Sequence, residues 1–404
     1  MTIYRARWVL PIDAPPIEHG FVAVADGRIV SVGRGVPETD GRAPIEDLGD
    51  VAVMPGLVNA HTHLELSWMA GLVPAKPSMD EWIRALLDVR RAGPPGGDGD
   101  VAKAALEAMA VMRETGTVLV GDISNTLLTP GLLAASGLRG VVFHELMGFA
   151  GGDSAQVVRA ALERIGEHKA LPVELSVVAH APYSVSPDLI AEIARARRTA
   201  PLAIHLGESA EEIEFVATGR GPIRRMLEHL GVWSDDWPVP GCDPAEYVDR
   251  LGYLQPGTLV VHGVHLPPAA IERIRRRGAV LVTCPRSNRW VGAGSPPLAA
   301  FYAAGVPVAI GTDSLASAPS LDMFDELAEA RRIAPGVPAS VLVDSATRTG
   351  AAALGLGAEY GTITPGKRAA LIAVRAPAGT HDVEEYLVGG DVDAAADVRL
   401  VRAD

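Results

Sequence analysis

Residues 51–63 read VAVMPGLVNAHTH, an apolar run of strand character that closes on two histidines one residue apart. Four later pieces repeat the design: VELSVVAHAPY carries His180, LAIHLGE carries His205 and Glu208, TLVVHGVH carries His262, and VPVAIGTDS carries Asp313. Working outward from these, apolar strand candidates fall at 51–60, 117–122, 140–146, 173–180, 202–207, 258–264, 279–284 and 306–312. Helical patterns separate most of them, among them 101–115, 187–199 and 320–333. Strands alternating with helices predict a parallel α/β sheet, and eight such units predict a closed (β/α)8 TIM-like barrel. The runs are nearly continuously apolar, as parallel strands covered by helices require.

The two ends of the chain have a different texture. IYRARWVLPI and FVAVADGRIVSVG, with Asp26-Gly27 at a hairpin turn, read as short strands, and so does GTITPGKRAALIAVRAP near the other end. The expectation is a small β-sandwich built from residues 1–50 and 356–404 beside a barrel of residues 51–355. Two stretches break the rhythm. GPPGGDGD at 93–100 is expected to hold neither helix nor strand. Residues 231–249, with Trp233 and Trp237, form a long insertion placed either as a lid over the site or as packing on outer helices.

Composition narrows the function classes. A chain of 404 residues can bury a large core, and 48% hydrophobic with 21% charged residues is ordinary for a globular protein. A net charge of −13 argues against nucleic acid, which needs a basic face. No apolar run approaches the roughly 18 residues of a membrane helix, and the opening residues lack the apolar core of a signal peptide. Cys242 and Cys284 are the only cysteines, which fits a reducing cytoplasm. The expected partner is a small-molecule substrate, with a homodimer as a candidate assembly.

His61 and His63 alternate on one strand, so both imidazoles point to the same side. With His205 and Asp313 at two further strand ends they form a candidate ligand set for one divalent ion. Such an ion lowers the pKa of a bound water toward about 7. Of eleven histidines, seven (His61, His63, His144, His180, His205, His262 and His265) lie at or just beyond strand ends, more than chance would place there. Glu208 sits just past the strand end, where it can shuttle a proton from water to a substrate nitrogen; Glu211 and Glu212 are better placed to complement the next helix dipole. His262 is the candidate to hydrogen-bond the attacking water. A bridging carboxylated lysine needs a strand-end Lys, and Lys76, Lys103 and Lys169 are none of them there, so one ion is expected. Zinc suits the N/O ligands, with iron or manganese as alternatives. Several further residues are candidates for the pocket wall: Arg286 for a substrate carboxylate or a structural ion pair, Ser287 and Asn288 for neutral hydrogen bonds or a turn, and Trp68 for an apolar surface, with core packing favoured for Met69.

In order along almost the whole chain, PGLVNAHTHLELS, HAPYSVSP, HLGESAEE, VHGVHL, TCPRSN, IGTDS and TPGKRAALI resemble the amidohydrolase superfamily, in its cytosine deaminase and chlorohydrolase-like branch. The resemblance implies a metal held by His61, His63, His205 and Asp313, with Glu208 as proton shuttle and His262 beside the reacting water. It also implies that His180 contacts substrate. HAPYSVSP and CPRSN resemble deaminases of 6-aminopurine nucleoside-like compounds, the S-adenosylhomocysteine/methylthioadenosine and aminodeoxyfutalosine groups. The former group's acidic, ribose-gripping residue has no counterpart pattern in AGLVPAKPSMDEWIRALL, and NAHTHLELS looks more like the aminodeoxyfutalosine group. Ala370 departs from the acidic residue common in the family, in the small β domain. Hydrolytic deamination is the activity implied; the alternatives are chlorohydrolase-type displacement on a similar ring and a non-catalytic barrel homologue.

Overall fold

The computed structural model describes residues 1–35 and 43–401. Its first five strands are β1 (Thr2–Val9), β2 (Ile17–Ala25), β3 (Arg28–Arg34), β4 (Ile45–Asp47) and β5 (Val51–Pro55). Eight more follow: β6 (Leu57–Thr62), β7 (Thr117–Ser124), β8 (Arg139–Leu146), β9 (Glu174–Ala179), β10 (Ala203–Leu206), β11 (Leu259–His262), β12 (Val280–Thr283) and β13 (Val308–Ile310). β14 (Leu371–Arg375) and β15 (Val398–Leu400) come last.

The sheet made from the two ends runs β15-β14-β5-β1-β2-β3, with β4 paired to β1. It is one seven-stranded sheet, where a two-layer sandwich was expected. Strand alternation decides its two faces. Val51, Val53, Leu371 and Ala373 pack outward with Val22, Val24 and Ile29, whereas Ala52, Met54, Ile372 and Val374 join the main core. The expected strand 51–60 is in fact two. Val51–Pro55 pairs antiparallel with β14, the chain crosses at Gly56, and Leu57 begins pairing with β7. An uninterrupted apolar run carries no mark of which sheet each half joins.

The other eight strands form two parallel four-stranded sheets, β6-β7-β8-β9 and β10-β11-β12-β13. Their edges meet twice. Thr62 and Asp313 form a parallel bridge, and the His205 N–H donates to the His180 carbonyl at 2.9 Å. At the first seam Gly311 lies so close that a Cβ would stand 2.7 Å from the His61 carbonyl oxygen, so only glycine fits. Interstrand helices cover these sheets, and β6 and β10 to β13 are buried along their whole length.

The first two of these helices are α1 (Met79–Ala92), which lines the site, and α2 (Asp98–Glu114). The start of α2 falls inside the stretch expected to be irregular. Gly97, with φ 61°, ends the turn, and Asp98 and Asp100 place negative charge in the first helical turn, where the dipole favours it. In the 231–249 insertion, Trp233 and Trp237 stack on Phe149 and Phe215 at ring separations of 5.7 and 4.8 Å. Its near end, Val232, reaches the cavity described below. Among the described residues no helix is long and apolar enough to cross a membrane.

Candidate active site

The strand ends β6, β10 and β13 bring four side chains to one point. His63 Nε2 lies 3.2 Å from His61 Nε2 and 3.3 Å from His205 Nε2. Asp313 Oδ1 lies 3.4 Å from His63 Nε2 and 3.9 Å from His61 Nε2. Two donors on an ion at about 2.0–2.1 Å stand about 3.3 Å apart at tetrahedral corners. The nitrogens of His61, His63 and His205 lie close enough together to share one cation, and Asp313 approaches two of them. Burial is the first cause keeping these imidazoles neutral, holding His61 well below the usual histidine range and His63 near about 3. His205 is lowered for the same reason. Its Nδ1 donates to the His180 carbonyl at 3.0 Å, which leaves the Nε2 lone pair facing the other donors.

The backbone is bent to achieve this. His262 and Asp313 have φ of 76° and 62°, a region that non-glycine residues enter at a cost of about 1–3 kcal/mol each. At Asp313 the turn is fixed by its N–H donating to the His61 carbonyl at 3.0 Å. The Ser287 hydroxyl donates to Asp313 Oδ2 at 2.6 Å. Burial raises the Asp313 pKa, and the Ser287 hydrogen bond opposes it.

Glu208 follows Gly207, whose φ of +63° and contact with Leu266 (2.5 Å from a built Cβ) reserve the position for glycine. The Gly207 and Glu208 N–H groups both donate to Glu212, the third residue of the helix Ala210–Thr218, at 2.9 and 3.0 Å. Ser209 caps that helix by accepting the Glu212 N–H at 3.2 Å, and the three bonds together fix where Glu208 stands. Glu208 is buried, and burial followed by Asp313 pushes its pKa well up, as suits a proton carrier. Its Oε1 lies 3.5 Å from His262 Nε2. On the other side of that ring, Asn288 Nδ2 stands 2.9 Å from His262 Nδ1; with the amide donating, the His262 proton sits on Nε2, toward Glu208.

These groups open onto a cavity of about 460 Å³, within the range of small-molecule sites. His63, His180, His205, Glu208, His262 and Asp313 line it. The His180 Nδ1 is engaged by Ser184 Oγ at 2.5 Å. Four expected wall residues are elsewhere. Ser287 and Asn288 are fully buried behind Asp313 and His262, because the helix Pro285–Trp290 presents them to those residues rather than to the cavity. Arg286 is spent on Asp325 at 3.1 Å, Glu326 at 3.7 Å and Ser320 at 3.0 Å. Trp68 packs with Met69, Val73 and Trp82.

Two cavity residues escaped the sequence reading. Glu145 is buried, accepts Asn125 Nδ2 at 2.9 Å, and sets Oε1 3.5 Å from His205 Nδ1. The histidine count drew attention to His144, yet alternation turns His144 away toward the Ser124 carbonyl and Arg164, and Glu145 inward. Arg90 is the other, and its signal was helical periodicity in α1. Glu145, His180 and His205 also lie close enough to share an ion, but the His205 nitrogen facing Glu145 already donates its proton to the His180 carbonyl.

With the geometry in hand, the class follows: residues 52–394 match the amidohydrolase family, and the chain belongs to it. Among individual relatives, the chain is 31% identical over 408 residues to the 5-methylthioadenosine/S-adenosylhomocysteine deaminase of Moorella thermoacetica, covering 95% of this chain and 90% of that protein. It is 33% identical over 326 residues to the aminodeoxyfutalosine deaminase of Deinococcus radiodurans, covering 77% of this chain and 75% of that one. The crystal structure of Helicobacter pylori aminofutalosine deaminase with methylthio-coformycin superposes with a TM-score of 0.86 at 26% identity, over 100% of this chain and 99% of that one.

Proposed function

We propose that this chain is a metal-dependent aminohydrolase that removes the exocyclic amino group of a 6-aminopurine nucleoside-like compound, with aminodeoxyfutalosine the favoured substrate. The observation that carries the reading is the meeting of three imidazole nitrogens and Asp313 beside Glu208 and His262 in one cavity. We read the two four-stranded sheets as one (β/α)8 barrel, with the site at the C-terminal strand ends where such barrels carry their chemistry. The named activities of the Moorella, Deinococcus and Helicobacter proteins support the substrate class.

His61, His63, His205 and Asp313 would hold a single divalent ion, zinc by ligand preference, which when bound supplies the Lewis acidity that activates water. Glu208, whose affinity for a proton is raised by burial, takes one from water and delivers it to the ring nitrogen beside the amino-bearing carbon. A C–O bond forms at that carbon and its C–N bond breaks, so water and the amine become a ring carbonyl and ammonia. His262 Nε2 donates a hydrogen bond to the oxygen as it adds, and Asn288 keeps that proton in place. His180 stands at the cavity wall to contact the substrate.

The test is ammonia release from a panel of 6-aminopurine nucleosides, with metal content measured on the same sample. Metal-loaded protein that releases ammonia from none of them refutes the reading; chloride release from a chlorinated ring without ammonia would move it to the chlorohydrolase chemistry.

A further inference from the structure

The reacting ring belongs at the histidines, which leaves the rest of the cavity to the remainder of the substrate. That remainder meets one face of α1. Met79, Trp82, Ile83, Leu86 and Leu87 all line the cavity, and their spacing of three and four residues makes one helical stripe. Arg90 is the next position on the stripe and lines the cavity as well. The other faces carry Asp80, Glu81, Arg84, Asp88 and Arg91, where Arg84 pairs with Asp80 and Arg91 with Asp88 at 3.0 Å. Arg91 alone suffices to complement the helix C-terminus, so the dipole does not account for a cation on the apolar stripe.

Arg90 is the only lysine or arginine lining the cavity, and among the described residues no hydrogen bond or ion pair engages it. Its charge is near enough to disfavour protonation of His63 and His180. The carboxylates that line the cavity, Glu145, Glu208 and Asp313, are all buried at the histidine end. The Arg90 charge reaches Glu145, where it favours the ionised carboxylate, and apolar Met147 and Phe149 also line the cavity. An anion carried on an apolar or aromatic tail would find a single partner there. A zwitterionic tail would bring its ammonium toward the guanidinium of Arg90, a like charge.

Resting on the deaminase reading above, we infer that Arg90 is a specificity-determining residue that pairs with a carboxylate on an apolar substrate tail and so favours anionic over neutral or zwitterionic nucleosides. The Arg286 side chain, the sequence-level candidate for that carboxylate, is occupied by Asp325 and Glu326. Arginine is suited to the role because its fork meets a carboxylate through two parallel hydrogen bonds.

The experiment compares kcat/KM for aminodeoxyfutalosine, with its benzoate tail, against methylthioadenosine, with an uncharged one, in metal-loaded wild type, R90A, R90K and R90E. The ratio of the two should fall about tenfold to a hundredfold in R90A, mainly through KM, further in R90E, and by an intermediate amount in R90K. Thermal unfolding of each variant, and its turnover of methylthioadenosine, show that it is folded. An active wild type whose ratio shifts by less than about threefold in both R90A and R90E overturns the inference alone. A metal-loaded wild type that deaminates neither compound overturns the deaminase reading and the inference together.

Discussion

Replacing Ser287 with alanine separates two roles that the sequence left open. The Ser287 hydroxyl is fully buried and donates to Asp313 Oδ2 at 2.6 Å, on the oxygen opposite the one that faces His61 and His63. A hydrogen bond to a charged group contributes about 1.5–3 kcal/mol. This one is strongest to the ionised carboxylate, the state that holds a cation, so its loss falls mainly on the ion-loaded protein. Alanine fits the space without a clash, and the fold should survive. The expected result is a drop in metal affinity of about tenfold to a hundredfold, the usual size for a lost partner of a ligand. Competition for zinc against a chromogenic chelator measures it directly. Turnover per loaded site should change much less. If S287A binds metal within about twofold of wild type but shows a raised KM, Ser287 touches substrate and the argument from the Asp313 contact is wrong.

E208Q should keep its metal content and lose about 10²–10⁴-fold in turnover, since the amide cannot carry the proton; full activity with normal metal content would remove Glu208 from the chemistry. R286A should lower stability by about 1–3 kcal/mol, because Ser320 and Asp325 lose the guanidinium and the buried Glu326 loses its nearest cation. Unfolding by denaturant reads this, and a raised KM with intact stability would return Arg286 to the substrate. Asp122, buried under the Leu64 N–H and the Thr129 hydroxyl, has its pKa raised by burial to about 8. A carboxyl raised on folding contributes stability below its unfolded value of 3.8 that is lost as pH climbs to about 8. D122N should therefore show a flatter fall in melting temperature between those limits than wild type, and an identical slope would place the titration elsewhere.

The strand order was legible because each strand lies in a short apolar run, and all eight parallel strands end within two residues of where the runs do; one start is misplaced. The exception, 51–60, failed because hydrophobicity does not record which sheet a residue joins. The meeting of these four side chains was legible for a similar reason: His61 and His63 share a face by alternation, and His205 and Asp313 end their runs. What failed was direction past the strand end. CPRSN read as cavity wall, but its helix turns Ser287 and Asn288 to the back of Asp313 and His262, a matter of tertiary placement that no local pattern encodes. Arg90 and Glu145 were readable in principle, the one from a helical stripe extended by one more step, the other from alternation beside a histidine that drew attention to itself.

The site's electrostatics form a single argument. Burial makes the His61, His63 and His205 rings poor bases, and it makes Asp313 and Glu208 reluctant to ionise. Left alone, these groups set lone pairs and a carboxylate oxygen 3.2–3.9 Å apart, while His262 and Asp313 hold strained backbones to keep them there. None of this lowers the energy of the fold by itself. A cation at the centre reverses the sign, since neutral imidazoles and an ionised Asp313 are the forms that bind it. On the proposed reading Glu208 lies outside that set, so its raised proton affinity would not be consumed by ligation and would remain for the water and the ring nitrogen. On that reading the same burial would prepare the ligands and the proton carrier, and the division of labour would come from position, since Asp313 approaches His61 and His63 whereas Glu208 approaches His262.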